Sequence, residues 1–140
     1  MQLEDLGYTN ELEQFRITNN LDSFEPGRVI AEHKERYIVS TAHGEFEAEI
    51  TGNMRFTAKG REDFPAVGDW VALQVYDRDL AIIHKLFPRS SVIKRQAVGQ
   101  VGEIQIIAAN IDYAFLVQAV DRDLNINRLE RYLTICHSSD

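Results

Sequence analysis

Three short groups of basic residues carry the chemistry that can be read from this chain. Lys34 and Arg36 flank a glutamate and lead directly into Tyr37; Arg55, Lys59 and Arg61 follow within a polar stretch; Lys94 and Arg95 form a later pair. Cationic side chains neutralise phosphates, and an aromatic ring beside them can stack a base, so this pattern suits single-stranded nucleic acid. The same residues also suit a solvated hairpin and charged loops, because Glu32 and Glu35 flank the first group and Glu62 and Asp63 follow the second. Lys94 and Arg95, with Arg89 nearby, fit either a charged linker or a seam that touches phosphate.

No other chemistry is legible. His33, His43, His84 and His137 lack metal-ligand spacing, and Cys136 beside His137 does not make a zinc site. Asp121 and Asp123 read as a polar turn between a strand and a helix, and Asp69, after Gly68, as a turn residue whose carboxylate accepts local backbone N–H groups. Trp70 and Phe46 fall in apolar phase on their strands, as core residues do. Phosphoryl transfer needs a phosphate-cradling loop with its lysine, a magnesium-binding hydroxyl and a positioned water. The chain has no GxxxxGK[ST], NKxD or DxxG, so it is expected to be catalytically inactive by itself, with no site for a cofactor or metal.

Charge distribution sharpens the picture. The net charge of −7 over 140 residues argues against a non-specific nucleic-acid coat protein. The acidity is concentrated near the N-terminus, where Glu4, Asp5, Glu11, Glu13, Asp22 and Glu25 face Arg16 alone, whereas Leu80 to Gly102 holds no acid. A basic surface can therefore coexist with an acidic total. The single cysteine excludes an internal disulfide, no apolar run approaches the ~20 residues of a membrane span, and the acidic N-terminus is unlike a signal peptide; a cytoplasmic location is expected.

The elements that must position these groups follow from periodicity. Residues 1–24 form an acidic arm, short-helical or irregular. From Pro26 the residues alternate in the manner of half-buried strands: 27–34, 36–42, 45–50, 67–76 and 80–87, with His43-Gly44 as a turn and 51–64 as a polar connection without clear period. Five short strands within 25–88 predict a small closed barrel, an OB-fold first and an SH3-like barrel second. Residues 89–103 read as a polar linker. In 104–140 a continuous apolar run, with Ile111–Val120 as its strand, precedes helical spacing at Ile126, Leu129, Tyr132, Leu133 and Cys136, with Asn125 as N-cap. Strand then helix is the first half of a βαβ unit.

The ordered set "VGDWV", "IHKLFPRSSVIKR", "AANIDYAFLVQA" and "NINRLERYL" resembles the ribosome small-subunit-dependent GTPase A family. "TGNMRF" at 51–56 is also similar to that family's "RGKLRK", with Asn53, Met54 and Phe56 departing from it. The resemblance implies a mainly-β chain: a five-stranded OB-fold barrel, then an incomplete α/β start of a circularly permuted GTPase domain. It implies a parent protein that hydrolyses GTP late in small ribosomal subunit maturation. GTP, magnesium and a structural zinc would belong to a remainder that is missing here. The expected partners are the small ribosomal subunit and its rRNA, with a protein–protein adaptor barrel without RNA binding as the alternative. An unpaired strand at Ile111–Val117 predicts that the tail packs on the barrel or pairs with a second copy in a dimer.

Overall fold

Alternation of apolar and polar residues builds a barrel whose interior is lined from every strand. The computed structural model describes residues 2–96 and 104–112. Strands β1 (Glu25–His33), β2 (Arg36–Thr41) and β3 (Gly44–Ile50) form an antiparallel meander; β4 (Trp70–Asp77) and β5 (Leu80–Leu86) form a hairpin. The sheet closes in the order β1-β2-β3-β5-β4, with β4 returning to β1 through pairs such as Gly27↔Val71. β3 and β5 pair in parallel, Ala48 opposite Ala81 and Ile50 opposite Ile83. That crossover order is the OB-fold, and it removes all free edges from the barrel.

Val29, Tyr37, Val39, Ala48, Ile50, Val71, Leu73, Ala81 and Ile83 fill the interior, all buried. Burying one Val, Leu or Ile side chain is worth roughly 1.5–3 kcal/mol relative to exposure, so this cluster is the principal source of stability. Between β3 and β4 the connection without clear period forms helix α2 of the barrel, Gly52–Thr57, which places Met54 against the same core.

The first half of β4, Trp70 to Leu73, is buried on both faces. Val71 and Leu73 point inward, while Trp70 and Ala72 join Leu21 and Phe87 in a second cluster outside the barrel. The acidic arm covers that cluster. It folds as a 3-10 turn, Leu3–Leu6, and helix α1, Asn10–Thr18, capped by Thr9, whose hydroxyl accepts the Leu12 N–H at 3.3 Å. Leu3, Leu6, Tyr8, Leu12 and Phe15 pack down onto it; Tyr8 meets Trp70 edge-on at 4.9 Å, and Phe15 meets Phe87 at 5.3 Å. The Tyr8 hydroxyl donates to Glu13 at 2.7 Å, and this bond holds the Glu13 carboxyl below its ordinary range.

The stretch expected as a polar linker contains a strand. β6 (Val92–Gln96) pairs antiparallel with β7 (Ile104–Ala109) as a separate two-stranded sheet. β7 stops at Ala109 because Asn110 turns into the left-handed region at φ 56, so the apolar run from Ile106 is not one continuous strand. The remainder of the expected strand up to Val120, the helix after Asn125, and the tail on which dimer formation depends lie outside the described residues.

Candidate nucleic-acid interface

The β1–β2 turn consists of two residues, Lys34 and Glu35, both left-handed with φ 50 and 64. This is the geometry of a two-residue hairpin turn, normally supplied by Asn-Gly, whose backbone tolerates positive φ. Here two long charged side chains occupy it instead. The Glu35 N–H is held by Glu32 Oε1 at 3.2 Å, and the Glu35 carboxylate forms an ion pair with Arg55 of α2. The hairpin tip and α2 are thereby tied into one surface. Thr51 caps α2 by accepting the Met54 N–H at 3.0 Å. With Met54 turned inward, Phe56 is left 88% exposed. Lys59 follows, exposed, its N–H bonded to Asp63 Oδ2 at 2.7 Å.

Beside the tip lies a groove of about 420 Å³. It is lined by Lys34 and Glu35 of the tip, by Phe64 to Val67, and by Ile106 and Ile107 of β7. Lys94, across from Ile106 on β6, is exposed. Among the described residues, Lys34, Lys59 and Lys94 pair with no carboxylate.

Arg36 is placed differently. It bridges Glu47 and Glu49 of β3, each at 3.0 Å, and these carboxylates raise its already high pKa. Glu45, Glu47 and Glu49 run along the outer face of β3, with Asp77 and Asp79 at the neighbouring β4–β5 turn. The strand 2–3 face through which OB-folds commonly contact oligonucleotides is therefore acidic here, and Arg36 is spent on it.

Tyr37 does not offer its ring to a base. It is 3% exposed, packed in the barrel interior because it shares strand phase with Val39, and burial followed by Glu32 and Glu35 pushes its phenol up to about 12. The side chains of Arg61 and Arg95 lie outside the described residues. Trp70 and Phe46 pack in the two cores. His84 bonds Gln74 at 2.8 Å and His43 approaches Glu25 at 3.6 Å; among the described residues no group of three or more His, Cys, Asp or Glu is arranged to hold a metal ion, and no helix is long and apolar enough to cross a membrane.

A joint that sequence reading did not anticipate binds the barrel to β7. Asp69, fully buried, accepts the Ala66 N–H at 2.7 Å and both Nε and Nη2 of Arg89 at 2.8 Å; Arg89 also donates to the carbonyls of Glu62 and Phe64. Asp69 is thus the local turn acceptor its position suggests, and an ion-pair partner besides. Arg89 spends four of its five N–H donors within the protein, and its charge is matched by Asp69. On the far side, Arg28 donates to the carbonyls of Leu6, Gly68 and Asn110, while the Asn110 amide donates to Gly68 at 2.9 Å and its carbonyl oxygen accepts the Ser90 N–H at 2.7 Å. Asn110 lies in the "AANID" run and Phe56 in "TGNMRF", but neither these nor Arg28 carried a signal for the role the folded arrangement gives it.

A family model described as RsgA GTPase matches residues 86–140. Among curated relatives, the small ribosomal subunit biogenesis GTPase RsgA 1 of Oceanobacillus iheyensis is 49% identical over 108 residues, covering 76% of this chain and 31% of that protein. RsgA of Opitutus terrae is 38% identical over 128 residues, covering 85% and 35% respectively. This chain spans about a third of the length of these relatives. Among solved structures, YjeQ from Thermotoga maritima superposes with a TM-score of 0.55 at 15% identity, covering 83% of this chain and 38% of that one. YloQ, a circularly permuted GTPase, gives 0.52 at 19% identity, covering 84% and 38%. These two likenesses concern the fold.

Proposed function

Because this chain is RsgA-like and resembles the N-terminal part of that family, we propose that it docks a small-ribosomal-subunit biogenesis GTPase onto the small subunit by gripping rRNA through one end of its barrel. The supporting observation is the sorting of charge. Lys34 and Lys59 stand on the surface formed by the β1–β2 turn and α2, whereas the outer face of β3 presents Glu45, Glu47 and Glu49. The first surface offers a polyanion two lysines that no carboxylate pairs among the described residues, although Glu32, Glu62 and Asp63 lie near them; the second offers carboxylates whose nearest cation, Arg36, is already paired. Two consecutive non-glycine residues in left-handed conformation at the tip add to this: such backbone strain gathers at ligand clamps. GTP hydrolysis belongs to the reading of the parent protein, with GTP and magnesium as its requirements.

A second reading has its own support. The acidic β3 face, flanked by the exposed Tyr76, fits a basic protein segment, which would make the barrel a protein adaptor. Cosedimentation with purified small subunits across a salt series separates the two. RNA docking predicts affinity falling by roughly 0.7–0.9 log units per log of salt for each phosphate contacted, and competition by naked rRNA. Binding to small subunits that free rRNA leaves undisturbed supports the adaptor.

A further inference from the structure

We propose that Phe56 is a stacking platform for an unpaired base of single-stranded RNA. This rests on the docking reading above and assigns it a specific residue. A single exposed apolar side chain is ordinary on protein surfaces. What distinguishes Phe56 is near-complete exposure, 88%, of an aromatic ring between Arg55, neutralised by Glu35, and Lys59, whose ammonium pairs with no carboxylate among the described residues; the Arg55–Glu35 pair joins its helix to the turn that carries Lys34. Among the described residues the ring joins neither core cluster, because Met54 supplies the contact of α2 to the barrel core.

Elimination among the described aromatics points the same way. Tyr37 and Trp70 are buried, at 3% and 2%. Tyr76 is 58% exposed, but it lies beside Arg36, whose charge Glu47 and Glu49 already neutralise, and it adjoins Asp77. A strand stacked there would bring its phosphates onto carboxylates. A base stacked on Phe56 instead carries its flanking phosphates toward Lys34 and Lys59. Stacking is indifferent to base identity, since every base has a π-face, so this contact favours unpaired over duplex RNA without reading sequence.

The test uses the whole chain, a fluorescently labelled short oligouridylate, and a duplex RNA of matched length. Phe56→Ala and Phe56→Leu are expected to weaken single-strand binding roughly ten-fold while leaving the salt slope and duplex binding unchanged, because a stack and not a phosphate contact is lost. Phe56→Trp is expected to restore binding, with indole emission quenched by the oligomer; the buried Trp70 of the parent chain stays unquenched. Wild-type affinity in Phe56→Ala, while Lys34→Glu or Lys59→Glu binds poorly, overturns the stacking role and leaves docking intact. No binding of either RNA by any form overturns both. Loss of small-subunit binding in Phe56→Ala with oligouridylate binding unchanged makes Phe56 a protein contact and overturns the proposal.

Discussion

Arg89 lays Nε and Nη2 on the two carboxylate oxygens of Asp69, each at 2.8 Å, with the aspartate fully buried and the arginine nearly so. Removing one member of a buried pair strands the other charge and costs about 3–5 kcal/mol. Arg89→Met is therefore expected to lower stability by that order, read as a fall in the urea midpoint at unchanged slope. Adding Asp69→Asn to Arg89→Met recovers part of the loss, since no unpaired charge remains. A further loss in the double variant contradicts this view of the joint.

Gly68 sits where β7 crosses the barrel, and a Cβ there would lie 1.9 Å from the Ala109 carbonyl oxygen at a φ of +95. Gly68→Ala must push β7 away and is expected to break the Ala109 N–H bond to Val67. Gly44, with φ +121, faces open space, so Gly44→Ala meets backbone strain alone, about 1–3 kcal/mol. Hydrogen exchange at Ala109 and Asn110 discriminates: protection is lost in the first variant and kept in the second.

The β1–β2 turn trades stability for charge. Replacing Lys34 and Glu35 together by Asn and Gly relieves two left-handed non-glycine residues, a gain of about 1–2 kcal/mol offset by the loss of the exposed Glu35–Arg55 pair. The variant is expected to melt higher and bind small subunits less well. Equal or better binding separates the turn from docking.

Tyr37 makes stability fall at alkaline pH. Its phenol ionises at about 12 in the folded protein and near 10.0 when unfolded. The unfolded chain thus releases its proton first as pH rises. The stabilisation is complete below pH 10 and disappears through the window up to about 12, a loss of about 1–2 kcal/mol after allowing for solvent near the hydroxyl. Tyr8, also raised by burial, titrates in both proteins, so the difference between wild type and Tyr37→Phe isolates Tyr37. Identical alkaline stability curves for the two contradict the assignment.

How much of this was legible in the sequence depends on whether a local pattern carried it. The barrel strands were, because half-buried strands alternate, and all five fall within a few residues of their expected places. The same alternation also held the answer for Tyr37: with Arg36 and Ile38 outward, Tyr37 and Val39 must point inward. β6 escaped notice because Val92-Ile93 runs straight into Lys94-Arg95-Gln96, which has no period of two. Helix α2 spans only six residues, too few for a helical period to show. The arm's packing on Trp70 and the Arg89–Asp69 pair join residues far apart in the chain, and no local spacing encodes such contacts.

The central claim is that the turn and α2, not the β3 face, meet the small subunit. Charge reversal at each surface tests it directly: Lys34→Glu with Lys59→Glu on one, Arg36→Glu on the other, with small-subunit affinity measured across a salt series. The account predicts a large loss and a shallower salt slope for the lysine pair, about 0.7–0.9 log units per phosphate contact removed, and little change for Arg36→Glu. Loss confined to Arg36→Glu, with the lysine variants binding as wild type, would place the interface on the strand face and contradict it.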